Sequence, residues 1–185
     1  MAIRQTCARR HKEYGVTLIE QIMVVTILGV LAAIATPSLA QLHRRSQARI
    51  ALLDFIAALQ HARGVAILSG RSTLLCPSRD GLHCIGGTHW ESGWLISHGK
   101  DRDGQPDTAP LRTQAGYAGV TILGDQGRPY VRFDSDGRAS GTTNTLRFCS
   151  HGEPDQALVA VVSNVGRVRA APASPAEAAS CAAAQ

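Results

Sequence analysis

Two patterns in this chain set side chains where they can do chemistry. Near the C-terminal end, Val165-Gly166-Arg167-Val168-Arg169 places two guanidiniums two positions apart. In an extended strand alternate side chains share a face about 6.7 Å apart, so Arg167 and Arg169 are expected to project together while Val168 packs inward. Such a pair forms a fork for consecutive phosphates, and Gly166 beside it is expected to free the approach sterically. Two arginines near a chain end suit a solvated strand equally, and the residues alone leave both readings open. Near the N-terminus, Glu20 stands inside an apolar run. An ionised side chain at membrane depth costs about 2.5–3.5 kcal/mol by insertion scales, so a carboxylate there calls for a partner charge.

Other chemistry is poorly supplied. The chain has no G-x-S-x-G, H-E-x-x-H or Walker-type run, so an enzyme is not expected, nor a cofactor. His43 and His61 read as solvated helix residues. Asp101-Arg102-Asp103-Gly104-Gln105-Pro106-Asp107 has carboxylates at calcium-like spacings but lacks the EF-hand register and its closing glutamate. A solvated turn is expected there, and another at Asp134-Ser135-Asp136-Gly137.

Of five cysteines, Cys7 precedes the apolar run, leaving Cys76, Cys84, Cys149 and Cys181. An even number in an exported chain reads as two disulfides with three possible connectivities. Proximity favours Cys76–Cys84, leaving Cys149–Cys181. A zinc site using Cys76, Cys84 and His83 or His89 is the rival reading, without the C-x-x-C spacing that zinc sites favour.

These residues need elements to position them. Residues 16–39 are apolar enough and long enough to span a bilayer, which takes roughly 20 residues. Pro37 is expected to bend the helix. Beyond it Leu52, Phe55, Ile56, Leu59, Ala62 and Ala66 recur at steps of three and four, while Arg45, Arg49 and His61 fall largely on the other side. Together these predict one helix over residues 16–68, roughly 80 Å long, ending near Ser69-Gly70. A domain of this size cannot bury such a rod, so its first half is expected in a membrane or against other subunits. An ordinary signal peptide cut at Ala33-Ile34-Ala35 is the alternative. Glu20-Gln21 interrupts its apolar region, and the helical pattern continues past the cut.

After the helix the pattern changes to strands at 72–76, 93–97, 120–123, 130–133, 145–149, 158–163 and 167–170, separated by Gly, Asp, Asn and Pro. A long helix followed by an antiparallel sheet is an α+β fold. Residues 171–185, rich in Ala, Pro and Ser, read as a loose tail held by Cys181.

The stretch Gly15-Val16-Thr17-Leu18-Ile19-Glu20, with basic residues before it and an apolar run after it, closely resembles the prepilin signature of type IV pilins and type II secretion pseudopilins. Val16 stands where that family usually has phenylalanine, and Pro37 falls where pilins commonly place a bending proline. The resemblance implies cleavage between Gly15 and Val16 by a prepilin peptidase and N-methylation of Val16. After such a cut Glu20 lies close to the new α-amine of Val16, and it is expected to pair with the N-terminal ammonium of a neighbouring subunit, the alternative being an acid that simply remains at the membrane interface. Further on, Leu75-Cys76-Pro77-Ser78, Trp90 and Gly93-Trp94-Leu95-Ile96, followed by an Asp/Gly-rich loop, resemble the globular domain of the FimT/GspH group of minor pilins. Gly166-Arg167-x-Arg169 is similar to the glycine-arginine-x-arginine motif of the FimT branch, whose members include DNA-binding minor pilins that serve natural transformation.

The resemblance implies a prepilin leader at 1–15, an assembly or transmembrane half-helix at 16–43, a globular domain at 44–170 and the tail at 171–185. It implies other major and minor pilins as partners, the inner membrane before assembly, and the pilus fibre afterwards. It implies double-stranded DNA as a ligand bound through Arg167 and Arg169, with Arg147, Arg132 and Arg138 as candidate extensions. The leader carries Arg4, Arg9, Arg10 and Lys12 against Glu13, so the formal charge of +5 falls to +2 without it, with 15 basic and 13 acidic residues left. Any nucleic-acid affinity must therefore be local. Aromatics are scarce, which argues against a stacking platform for single strands. A minor pilin that primes or caps assembly without binding DNA, and a GspH-like minor pseudopilin of a type II secretion system, are the competing readings.

Overall fold

The computed structural model describes residues 15, 17–99 and 103–184. Residues 1–14 of the leader, the expected methylation position Val16, and Asp101 and Arg102 of the acidic loop lie outside the described residues. Helix α1 (Leu18–Ser69) is followed by β1 (Thr73–Pro77), β2 (Gly93–His98), β3 (Arg112–Ala115), β4 (Val120–Leu123), β5 (Val131–Phe133), β6 (Asn144–Ser150), β7 (Leu158–Val162), β8 (Val168–Pro172) and α2 (Pro175–Ala183). The strands form two four-stranded antiparallel sheets, ordered β3-β2-β1-β5 and β4-β6-β7-β8. The α+β expectation holds, with two sheets in place of one.

Contacts divide the chain after Ala40. In the first unit the Thr17 hydroxyl accepts the Glu20 amide hydrogen at 3.4 Å, an N-capping contact that opens α1. The helix continues through Pro37, and its large apolar side chains from Leu18 to Leu39 are 48–79% exposed. This stretch is long and apolar enough to cross a membrane.

The second unit, Gln41–Gln185, contains the core. Ala48, Ala51, Leu52, Phe55, Ala58, Leu59, Ala62 and Ala66 form a buried stripe on α1, and the alanines along it let neighbouring backbones come close. Phe55 is the centre of this stripe. Its ring meets Trp94 of β2 at 6.1 Å, Phe148 of β6 at 5.4 Å, Trp90 at 6.1 Å and Tyr117 at 5.6 Å. One helical side chain thus touches both sheets. The Trp94 indole donates to the Tyr117 hydroxyl at 3.0 Å, and burial pushes the Tyr117 phenol up to about 12. The helix ends where Gly70 takes φ +64°, a left-handed cap that suits glycine.

Two expectations need correction. Strand β3 was not expected: its residues are exposed on both faces at a sheet edge, so it has no apolar alternation. Of the expected loose tail 171–185, the described residues 171–184 are ordered into structure. Pro172 ends β8, and Ser174 caps α2 through a capping box, with Glu177 Oε2 accepting the Ser174 N–H at 2.7 Å. These bonds hold the Glu177 carboxyl below its ordinary range. Both disulfides form as proximity suggested, Cys76–Cys84 and Cys149–Cys181. Cys149, Ala157 and Cys181 make a small buried cluster that seats α2 on the outer face of the second sheet.

Phe55→Ala is expected to cost about 3–5 kcal/mol of stability, measured by urea unfolding, because the cavity opens between helix and both sheets. Cys181→Ser is expected to cost about 2–4 kcal/mol and to expose residues 174–184 to limited proteolysis while the rest of the unit stays resistant.

Candidate nucleic-acid interface

Strand β8 pairs on one side only, with β7, so it is the edge of the second sheet. Val168 sits opposite Val162 and packs against the main core. Alternation then places Arg169 on the other face; Arg167, expected inside the strand, is instead the last residue of the turn before it, and both are exposed. Neither enters an ion pair among the described residues.

The hairpin that presents them is tightly determined. Gly166 donates to the Ser163 carbonyl at 2.8 Å, Ser163 donates to the Arg167 carbonyl at 3.0 Å, and the Ser163 hydroxyl accepts from the Arg167 amide at 3.1 Å. Gly166 has φ +76° and is buried. A Cβ on it would lie 1.9 Å from the carbonyl oxygen of Gly137. The expected role for this glycine therefore needs revision: its missing side chain makes room for another turn of the same protein, in a left-handed conformation that disfavours side chains.

The other arginines part company. Arg132 is buried, its side chain only 7% exposed, and meets Asp134 at 3.4 Å. Arg147 donates to Asp125 Oδ1 at 2.8 Å with its side chain 19% exposed. Asp125 also accepts the Thr145 amide and donates its own to Asn144, so this ion pair is part of the β4–β6 framework. Both arginines are committed inside the fold, which removes them as extensions of an exposed patch. Arg138, by contrast, is exposed and directly follows Gly137.

Arg63 was not singled out from the sequence. It projects from α1 and donates its Nε hydrogen to the Gly137 carbonyl at 3.0 Å, which brings a further guanidinium to the two glycines. Periodicity places Arg63 beside the buried Ala62 and Ala66 but carries no sign of this bond. Glu20 is exposed in the first turn of α1, and Gly15 is exposed before it. In the acidic loop, Asp103 accepts the Gln105 amide at 2.9 Å, as a turn aspartate does.

The family model described as "Type II transport protein GspH" matches residues 51–166. No curated protein gives a significant match. Among solved structures, the type IV minor pilin FimU of Pseudomonas aeruginosa strain PAO1 is 24% identical, with 69% of this chain and 90% of that chain covered and a TM-score of 0.57. A second crystal form of FimU is 25% identical, with coverages of 67% and 92% and a TM-score of 0.54. The minor pseudopilin EpsH of the Vibrio cholerae type II secretion system is 17% identical, with coverages of 70% and 97% and a TM-score of 0.50. The long apolar helix, the two-sheet fold and the family match over most of the globular unit lead to one conclusion: this chain belongs to the GspH family, as a minor pilin or pseudopilin of a type IV pilus or type II secretion system.

Proposed function

We propose that this protein is a minor type IV pilin that captures extracellular double-stranded DNA for uptake in natural transformation, with Arg167 and Arg169 as its primary phosphate contacts. The supporting observation is the state of that pair: two exposed guanidiniums, Arg167 at the end of the turn and Arg169 on the edge strand that follows, neither engaged by a carboxylate among the described residues. Contacts of this kind address the DNA backbone, so binding is indifferent to sequence. Two to four neutralised phosphates give a log–log salt slope of about −2 to −4 for duplex DNA. One subunit binds weakly, and several copies on a pilus supply avidity.

Before assembly the chain is held in the inner membrane by residues 16–43, the prepilin peptidase cuts after Gly15, and the new amine of Val16 is methylated. Glu20 then pairs with the Val16 ammonium of a neighbouring subunit, which neutralises both charges in an apolar setting and sets the register between subunits. The description of the matching family as a type II transport protein favours a second reading, a minor pseudopilin of a secretion system, for which DNA binding is not expected.

The double substitution Arg167→Gln with Arg169→Gln is expected to abolish retardation of duplex DNA in a gel-shift assay while leaving the thermal midpoint within about 2 °C of the parent, since surface changes typically alter stability by less than about 0.5 kcal/mol. Undiminished retardation contradicts the assignment. For Glu20→Ala, incorporation into sheared filaments is expected to fall below detection by immunoblot, and wild-type incorporation contradicts the pairing.

A further inference from the structure

Two turns of this chain are built alike and lie against each other. In Asp134-Ser135-Asp136-Gly137-Arg138 the glycine N–H bonds to the Asp134 carbonyl at 2.8 Å, and the Asp134 N–H bonds to the Arg138 carbonyl at 2.8 Å. In Ser163-Asn164-Val165-Gly166-Arg167 the corresponding distances are 2.8 and 3.0 Å. Gly137 has φ +78° and Gly166 has φ +76°. Each is a type I turn closed by a left-handed glycine, and each ends in Gly-Arg. Arg138 is therefore the structural counterpart of Arg167.

The two turns are also joined. The Ala139 amide donates to the Asn164 carbonyl at 3.0 Å, and Gly166 packs on the Gly137 carbonyl so closely that no Cβ fits. Arg63 of α1 closes the junction through Nε, and its terminal amino groups have no hydrogen-bond partner among the described residues. The two turns carry two acids, Asp134 and Asp136. Asp134 meets Arg132, and Asp136, which accepts the Arg138 amide at 3.0 Å, is the exposed carboxylate of the two turns. The junction thus gathers Arg63 with the backbones that carry Arg138 and Arg167, and Arg169 lies two residues further along, in a protein whose overall charge without its leader is small.

We infer that the DNA site is this double Gly-Arg turn together with α1, so that Arg138 and Arg63 contact backbone phosphates alongside Arg167 and Arg169. The inference rests on the DNA-binding reading above and extends it to two residues that are distant in sequence. Each phosphate contact contributes about 0.9 to the log–log salt slope, so losing one arginine reduces the slope by about 1 and weakens binding alike on every duplex sequence. Asp136 opposes the same phosphates and lowers the affinity.

The test is fluorescence anisotropy of the full chain in neutral detergent with a labelled mixed-sequence duplex, titrated between 50 and 200 mM salt. Arg138→Gln is expected to shrink the affinity loss across that range about threefold relative to the parent, and Arg63→Gln to do the same. Asp136→Asn is expected to tighten binding, and Arg147→Gln to leave the slope unchanged. Arg63→Gln also loses its bond to Gly137, so Arg138→Gln, whose side chain has no bond within the fold among the described residues, decides the matter. A parental slope in Arg138→Gln, with binding still abolished by the Arg167/Arg169 double substitution, overturns this inference and leaves the simpler DNA reading standing. Parental binding in the double substitution overturns both.

Discussion

The contact on which the rest of the structure depends is the burial of one stripe of α1, centred on Phe55, against two sheets at once. Trp94 comes from the first sheet and Phe148 from the second, and both meet the same ring. Small residues at Ala51, Ala58 and Ala62 let the strands approach the helix, and close packing of this kind transmits position from one element to the next. With helix and sheets fixed, the ends of β5 and β7 are fixed too. The turns after them then meet, which is why Gly137 and Gly166 touch and why Arg63 of the helix reaches the same junction.

The same helix serves two different solvation problems in its two parts. Between Gln41 and Ser69 its stripe is covered by the protein's own sheets. Between Leu18 and Leu39 its large apolar side chains are exposed among the described residues. The length and apolar character of this part suit a membrane span, and the proposed function places it there before assembly. On the proposed function, assembly and recognition rest on separate residues, with Glu20 in the apolar part and the arginine turns in the globular one. Substitutions in one are not expected to disturb the other.

Much of this was legible in the chain itself, for identifiable reasons. The α1 stripe has a strong three-and-four repeat, and β1, β2, β4, β6 and β7 are apolar runs bounded by turn residues. Both disulfides followed from proximity. Other features escaped because their signals are weak or non-local. Strand β3 is polar on both faces, so only its pairing with β2 makes it a strand. Helix α2 was masked by an Ala- and Pro-rich composition, although Ser174-Pro175-Ala176-Glu177 contains both a capping box and a proline at the first turn. Arg132 and Asp134 are two apart on an extended segment and share a face, so their pairing was readable. The pairing of Arg147 with Asp125 spans 22 residues and was not. The Arg63–Gly137 bond spans 74 and depends wholly on how the helix meets the sheets. The repeated Gly-Arg at the ends of two turns was visible, but nothing in the sequence says that the turns touch.

The central claim is that duplex DNA is held by the joined arginine turns through backbone contacts. Its most direct test is a titration of the ¹⁵N-labelled chain in detergent micelles with unrelated duplexes of equal length, followed by amide chemical shifts. The account predicts that perturbations concentrate at residues 134–138 and 163–169, extend to Arg63, leave Asp125 and Arg147 unmoved, and are the same for each duplex. Perturbations centred on β3 or α2, or a pattern that changes with the duplex sequence, would contradict it.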